Sequence, residues 1–103
     1  MVKAGSLKKR YISFELRGPD MGENSLKKAI YSEALRFFGE FGLSEAALKL
    51  VEYNSDTKKG ILRCERDYLD KTIGFLALIS SLEGTEARLI PIKSSGTVKS
   101  LAQ

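Results

Sequence analysis

The chain has no histidine and no tryptophan, and it has only one cysteine and two prolines among its 103 residues. Without histidine it cannot form a Ser-His-Asp triad, an imidazole general base or most zinc sites. The single cysteine, Cys64, cannot form an internal disulfide, and we interpret it as a small core residue because its strand-like surroundings offer no base or metal partner. We therefore expect no independent active site, no catalytic residues and no metal ligands.

Long hydrophobic runs are missing as well. The longest candidate, residues 72–82, is shorter than the ~18 uncharged apolar residues that a membrane-spanning helix needs. The first ten residues, MVKAGSLKKR, lack the apolar core of a secretory signal. We expect a cytoplasmic protein with no membrane partner. The length predicts one domain over residues 1–103, with 1–8 as a flexible basic arm and 94–103 as a C-terminal cap or short helix.

The net charge of +4 is unevenly distributed. Through Arg17 the chain carries five basic side chains against Glu15 alone, and after Glu86 it carries only the basic residues Arg88, Lys93 and Lys99. If the fold brings both ends together, they form one positive face of the kind that binds a polyanion. The alternative is an ordinary solvated surface.

The first half of the chain predicts a strand followed by a long helix. Residues 10–16 alternate, with Ile12, Phe14 and Leu16 on one side and Tyr11, Ser13 and Glu15 on the other. The helix is expected to be capped by Asn24 or Ser25 and to fray at Gly39 and Gly42, with residues 44–47 adding a turn. Its apolar stripe comprises Leu26, Ile30, Ala34, Phe37 and Phe41, widened by Leu35 and Phe38.

The second half predicts a hairpin of strands 48–53 and 61–66, a helix and a final strand. Asp67 is the expected N-cap of a helix over 68–82, with Gly84 as its stop. The last strand, 87–92, contains Pro91, which predicts either a position at the sheet edge or the end of the strand. This β-α-β-β-α-β order predicts an α+β, ferredoxin-like (split βαβ) fold. Such a fold is a four-stranded antiparallel sheet with two main helices on one face, here with short extra helices, and it places the two basic termini side by side.

Other proteins of this topology match the sequence less well. An RNA-recognition motif needs several aromatic residues on its third strand, but residues 59–66 have none and leave Tyr11 as a lone candidate. An acylphosphatase-like enzyme needs a phosphate-binding loop after the first strand, where Pro19 removes an amide donor and Asp20 adds negative charge. A regulatory ligand-binding domain usually accompanies an enzyme domain, and the sequence has none.

Two local groups of residues leave alternatives open. Arg63 is predicted to project from the open face of the sheet, where it pairs with an acid such as Glu15 or Glu65 or contacts phosphate. The segment 94–99 (SSGTVK) combines hydroxyl groups, a glycine and a lysine ahead of a short helix. It can present amides and hydroxyls to a phosphate, and it can equally serve as a helix cap.

Four pieces of the sequence together resemble a known family. They are RYISFEL at 10–16, FGEFGLSEAALKL within the long helix region at 38–50, GILRCERD at 60–67 and SSGTVKSL at 94–101. Their order and the chain length are similar to the archaeal and eukaryotic ribonuclease P proteins that comprise the fifth Pop subunit, called protein component 2 in archaea. The chain lacks the added tails of larger eukaryotic members, which favours an archaeal source.

The resemblance implies a role inside a ribonucleoprotein. Members of the family have a ferredoxin-like core and belong to ribonuclease P, the endoribonuclease that removes the 5′ leader of precursor tRNA in tRNA processing. The RNA subunit carries the chemistry and uses magnesium, while the protein is a non-catalytic subunit that binds no cofactor itself. Its implied partners are ribonuclease P RNA, precursor tRNA and the TIM-barrel-like protein component 3, with which it forms a heterotetramer of two copies each.

We therefore predict a set of RNA-binding residues that neutralise phosphates: Lys8, Lys9, Arg10, Arg17, Arg63, Arg66, Arg88, Ser95, Gly96, Thr97 and Lys99. By resemblance, Arg63 and the segment 95–99 are the family positions within that set. Tyr31, Leu35 and Phe38 are candidates for contact with the partner protein, the alternative being plain core packing. The second functional hypothesis is a ribosomal or other structural RNA-binding protein, and a small enzyme acting on a phosphorylated substrate is the third.

Overall fold

The computed structural model describes residues 9–101. The elements are β1 (Lys9–Arg17), α1 (Glu23–Ala46), β2 (Lys49–Asn54), β3 (Lys59–Glu65), a 3-10 turn (Arg66–Tyr68), α2 (Leu69–Leu78), β4 (Ser81–Leu82), β5 (Thr85–Glu86), β6 (Arg88–Ser95) and α3 (Val98–Leu101). The predicted order is confirmed, with a β4–β5 hairpin added before the last main strand. The predicted arm 1–8 lies outside the described residues. Within residues 9–101, no helix is both long and apolar enough to cross a membrane.

The main sheet has the strand order β2-β3-β1-β6, and its neighbouring strands are antiparallel. The predicted ferredoxin-like arrangement is therefore confirmed, and β6, which contains Pro91, lies at the edge as expected. The start of β1 lies beside the end of β6, because Tyr11 pairs with Ser95. The topology thus brings the two ends of the described chain together at the border of the sheet where β1 begins and β6 ends.

Strand β1 divides the molecule into two sides. Its side chains Ile12, Phe14 and Leu16 are almost completely buried in the core formed with α1 and α2. Tyr11, Ser13 and Glu15 are half-buried on the other side, which we call the open face of the sheet. This alternation follows directly from the two-residue period of a strand. Apolar burial of this kind stabilises the fold by about 25 cal/mol per Å², so the helix side holds the sheet together and the open face is available for contacts.

Helix α1 is longer than expected and it bends at Gly39. Gly39 has the non-helical angles φ 75° and ψ 173°, and the helix continues in a new direction to Ala46. The added turn at 44–47 is confirmed up to Ala46, whereas the predicted fraying at Gly39 and Gly42 is wrong. The predicted caps are also wrong, since the N-cap position is occupied by Gly22 without a side-chain hydrogen bond.

The bend at Gly39 changes which aromatic residues are buried. Ala34 is buried as predicted, but Phe37 is 44% exposed and Phe41 is 88% exposed. The assignment of these two phenylalanines to the buried stripe is therefore wrong. The regular 3.6-residue period ends at the bend, so the stripe extrapolated past Gly39 to Phe41 no longer points to the core. Phe37 precedes the bend and lies at the margin of the core, with its ring centroid 5.4 Å from that of Phe75.

Helix α2 ends earlier than the periodicity predicts. It stops at Leu78, because Ile79 adopts extended backbone angles, and Leu82 is buried in the core from strand β4 rather than from a helix. Gly84, with φ 82°, forms the β4–β5 turn instead of the helix stop. Asp67 does not cap the helix; it lies in the 3-10 turn with its carboxylate 3.6 Å from Nε of Arg66.

Gly60 is expected to be the most sensitive glycine in the sheet. A Cβ atom at Gly60 would lie 2.7 Å from Cζ of Phe14 and 2.8 Å from the carbonyl oxygen of Glu52. Gly60→Ala should therefore lower the free energy of unfolding by about 2 kcal/mol through overpacking. The measurement is chemical denaturation monitored by circular dichroism.

Gly74→Ala is the matched control. Gly74 lies in α2, and an added Cβ meets nothing within 4 Å, so alanine should raise the free energy of unfolding by up to about 1 kcal/mol. Equal stability of the two variants would contradict the packing described for the β1–β3 contact.

Candidate nucleic-acid interface

Arg63 lies on the open face, two residues before the end of β3. In the strand register it is directly opposite Tyr11 on β1 and Lys49 on β2. Its Nε atom is buried and has no hydrogen-bond partner among the described residues. A buried donor on an ionised guanidinium costs free energy unless it is satisfied, so a movement of this half-buried side chain that brings Nε to an acceptor would be favourable.

Neither carboxylate considered as a partner of Arg63 pairs with it. Glu15 lies 3.7 Å from Nη2 of Arg17, and Glu65 forms an ion pair with Lys9. Instead, Arg63 faces a second cation, Lys49, which is exposed. Like charges on directly opposed strand positions are destabilising, so an anion bound between them would relieve the repulsion. Lys49 is absent from the predicted set, because pairing strands 48–53 and 61–66 end to end would place it opposite Glu65. The observed register, which shifts between Leu50 and Glu52, places it opposite Arg63.

Several predicted RNA-binding residues meet at the end of the sheet where β1 begins and where β3 and β6 end. Antiparallel pairing brings the start of β1 to the ends of β3 and β6, which gathers residues that are distant in sequence. We call this group the upper cluster, and it comprises Lys9, Arg10, Arg66, Ser95, Gly96, Thr97 and Lys99.

The cations of the upper cluster differ in how they are paired. Lys9 is bound to Glu65, and Arg66 lies 3.6 Å from Asp67. Nη1 of Arg10 donates a hydrogen bond to the Lys9 carbonyl oxygen at 2.9 Å, and the Arg10 guanidinium lies beside Gly96. Lys99 is exposed on α3. The cluster keeps a positive excess, but Lys9 is less available than its sequence position indicated.

The segment after β6 turns back over the open face. The Ser95 hydroxyl accepts a hydrogen bond from the Thr97 N–H at 3.3 Å, which stabilises the turn before α3. Val98 and Leu101 of α3 then line a cleft of about 320 Å³ together with Ser13 and Ile61 of the sheet. The hydroxyl of Ser95 thus serves the turn, and the segment places α3 over the middle of the open face.

Arg17 and Arg88 do not belong to the upper cluster. They are opposed at the far end of β1 and β6, about 26 Å from Lys9 if each of the eight steps along β1 spans ~3.3 Å. We call them the lower pair. The predicted single positive face is therefore divided between the two ends of β1. Lys8 lies outside the described residues.

The helix side carries exposed apolar side chains. Of the three predicted contact residues, Leu35 is 45% exposed, whereas Phe38 packs against Phe75 of the core and the Tyr31 hydroxyl accepts a hydrogen bond from the Leu50 N–H at 3.3 Å. The predicted set of partner-contact residues does not include three other exposed apolar residues, Phe37, Phe41 and Leu78. Of these, Leu78 is 70% exposed. The bend at Gly39 exposes Phe41. In the sequence, the glycine at position 39 is the one feature that indicates this bend.

Titratable groups in the core are structural. Cys64 is fully buried, as predicted, and burial raises the pKa of its thiol. Burial likewise raises the pKa of the Tyr53 hydroxyl. Within residues 9–101, no three His, Cys, Asp or Glu side chains are grouped so that they could hold a metal ion.

Comparison with known proteins connects these features to a family. Residues 10–103 match the model of the Rpp14/Pop5 family. Ribonuclease P protein component 2 of Pyrococcus furiosus is 35% identical over 95 residues, which cover 91% of this chain and 79% of that protein. The protein of the same name from Methanocaldococcus jannaschii is 36% identical over 93 residues, which cover 89% of this chain and 68% of that protein.

A solved structure supports the fold. A chain in the cryo-EM structure of yeast ribonuclease MRP matches with a TM-score of 0.68 at 13% identity, over 88% of this chain and 76% of that chain. At this identity the match concerns the fold alone. The sequence matches extend over nearly the whole chain, and the chain therefore belongs to the Rpp14/Pop5 family.

Proposed function

We propose that this protein is a subunit of ribonuclease P, the ribonucleoprotein that removes the 5′ leader of precursor tRNA. The observation that carries the proposal is the family match over residues 10–103, joined by relatives named ribonuclease P protein component 2. In this proposal the RNA carries the chemistry and holds the magnesium ions. The protein is a non-catalytic subunit without a cofactor of its own.

The RNA contact is proposed at the open face and the upper cluster. Arg63 supplies a guanidinium with a buried, unpartnered Nε beside the exposed cation Lys49, and Arg10, Arg66 and Lys99 extend the positive charge along the edge of the sheet. Tyr11 is the only aromatic residue on the described strands of the open face, so stacking on several bases is not available. Phosphate contacts that depend on the shape of folded RNA are the mode that this surface favours.

The protein partner is proposed on the opposite side of the molecule. A groove of about 480 Å³ runs between α1 and the start of β2, lined by Tyr31, Leu35, Leu43 and Leu48 among others. Phe37 and Leu78 line a second groove on the helix side, and Phe41 adds exposed apolar area. Exposed apolar patches of this kind mark protein interfaces. We propose that they contact the TIM-barrel-like protein component 3, in a heterotetramer with two copies of each chain, in the cytoplasm.

Reconstituted cleavage of precursor tRNA tests the functional proposal. A cognate ribonuclease P RNA is assayed at limiting magnesium with the TIM-barrel-like partner alone and then with this protein added. We expect faster 5′ maturation only when both proteins are present, because phosphate neutralisation stabilises the folded catalytic RNA. The rate of 5′-leader release is measured by gel electrophoresis.

The control for this assay is cleavage by the RNA and the partner at saturating magnesium. If the RNA and partner are competent there, and this protein gives no acceleration at limiting magnesium, the subunit assignment is contradicted. Binding to the RNA without acceleration would favour a structural RNA-binding protein.

Arg63→Gln should weaken RNA binding through the loss of one phosphate contact. We expect the slope of log K against log salt concentration to fall in magnitude by about one, measured by filter binding to the ribonuclease P RNA. Glutamine keeps hydrogen-bonding capacity and leaves the fold intact, since Arg63 is only half-buried.

Arg36→Gln is the matched control, because Arg36 is 77% exposed on the helix side and pairs with Glu33 at 3.5 Å. Its slope should equal that of the parent protein. Equal reductions in both variants would indicate a general effect of net charge and would contradict a site at Arg63.

A further inference from the structure

We infer that the upper cluster and the lower pair bind phosphates of two separate RNA segments, so that the protein bridges them. The inference rests on the proposed role in ribonuclease P and concerns how the RNA is held. It depends on the arrangement along β1, which places Lys9 at one end and Arg17 at the other. A single positive face would contact one segment, whereas two charged ends contact two.

The lower pair has the chemistry of a phosphate site. Arg17 and Arg88 are directly opposite each other on adjacent strands, and both are exposed. Opposed like charges destabilise a free sheet. Arg88 has no ion-pair partner among the described residues, and the side chain of Arg17 is 68% exposed with its nearest carboxylate, Glu15, at 3.7 Å. A phosphate between the two guanidinium groups would accept hydrogen bonds from both and offset their mutual repulsion.

The surface between the two groups prevents one straight duplex from touching both. Helix α3 lies over the middle of the open face, where Val98 and Leu101 line a cleft with Ser13 and Ile61. A helix with its side chains is about 10 Å across, so α3 holds a rigid duplex away from the strands on either side. The charge of the intervening surface is mixed, since Glu52 and Lys59 both line this cleft, and Glu15 and Lys93 lie between the two ends of the strands.

A continuous single strand remains as the competing arrangement. The two groups are about 26 Å apart along β1, which corresponds to about eight nucleotides of a strand stacked with the ~3.4 Å rise of a duplex, and to fewer nucleotides of an extended strand. Tethered cleavage of the RNA distinguishes this arrangement from two segments, because each tether cuts only the nucleotides near it.

The experiment places an iron–EDTA group on introduced cysteines in the full chain. Asp67→Cys reports on the upper cluster and Glu86→Cys on the lower pair, since these exposed residues adjoin Arg66 and Arg88 without being cations themselves. Glu40→Cys on the exposed part of α1 is the control. The native Cys64 is buried and remains unlabelled. Each labelled protein is bound to the ribonuclease P RNA with the TIM-barrel-like partner.

We expect Asp67→Cys and Glu86→Cys to cut two regions of the RNA that are more than about ten nucleotides apart in sequence. The Glu40→Cys control should give no cuts. Overlapping cuts from both tethers would overturn the inference in favour of one continuous strand. Cuts from Asp67→Cys alone would also overturn it, while the proposed RNA-binding function would stand. Absence of RNA binding by all three proteins would contradict the proposed function itself.

A double variant gives a second readout that does not depend on tethers. Arg17→Gln with Arg88→Gln removes the opposed charges, so the free protein should melt at a higher temperature while the salt slope of RNA binding falls in magnitude by about two. An unchanged slope would overturn the inference. A raised melting temperature together with a reduced slope supports it, because loss of folding cannot produce both.

Discussion

The position of β1 between β3 and β6 is the constraint on which the rest of the structure depends. The strand hydrogen-bonds on both edges, so its nine residues fix the register of both neighbours. On the helix side Phe14 lies against Gly60 and stacks with Tyr53 at 6.3 Å between ring centroids, which requires the absence of a side chain at Gly60. Register, core packing and the composition of the open face are therefore linked through one strand.

This linkage separates the two kinds of surface that a ribonucleoprotein subunit needs. The core residues of β1 hold the helices on one side, and the apolar residues exposed there include Leu35, Phe41 and Leu78. The opposite side carries Arg63 and Lys49, with the upper cluster at its edge. Because the sheet lies between them, a protein partner on the helices and RNA on the open face can be bound at the same time. The family membership gives a reason for such a two-sided surface.

The sequence predicted the features that depend on local periodicity and topology. Alternation over residues 10–16 located β1, and the order of elements placed β6 beside it with its proline at the edge. It predicted less well where one residue interrupts a pattern. Gly39 bends α1 without ending it, and Ile79 leaves the helix although the apolar spacing continues to Leu82. These choices depend on tertiary packing, which periodicity does not contain.

The candidate site shows the same division. Topology predicts that the start of β1 lies beside the end of β6. The same strand direction places Arg17 at the opposite end of β1 from Lys9, so these two residues cannot belong to one cluster. The ion pairs were not predictable, because Glu65 binds Lys9 and Glu15 approaches Arg17 only in the observed geometry. Because both carboxylates are paired elsewhere, Arg63 has no acidic partner among the described residues, and only the structure reveals this feature.

The central claim is that RNA binds to the guanidinium of Arg63, and nuclear magnetic resonance of arginine side chains tests it most directly. With ¹⁵N-labelled protein, the Nε–H signal of each arginine is followed while ribonuclease P RNA is added. The account predicts that the Arg63 signal shifts and exchanges more slowly with solvent, because its unpartnered donor gains an acceptor. The signal of Arg36, on the helix side, should remain unchanged. An unchanged Arg63 signal in an RNA complex that forms at full affinity would contradict the account.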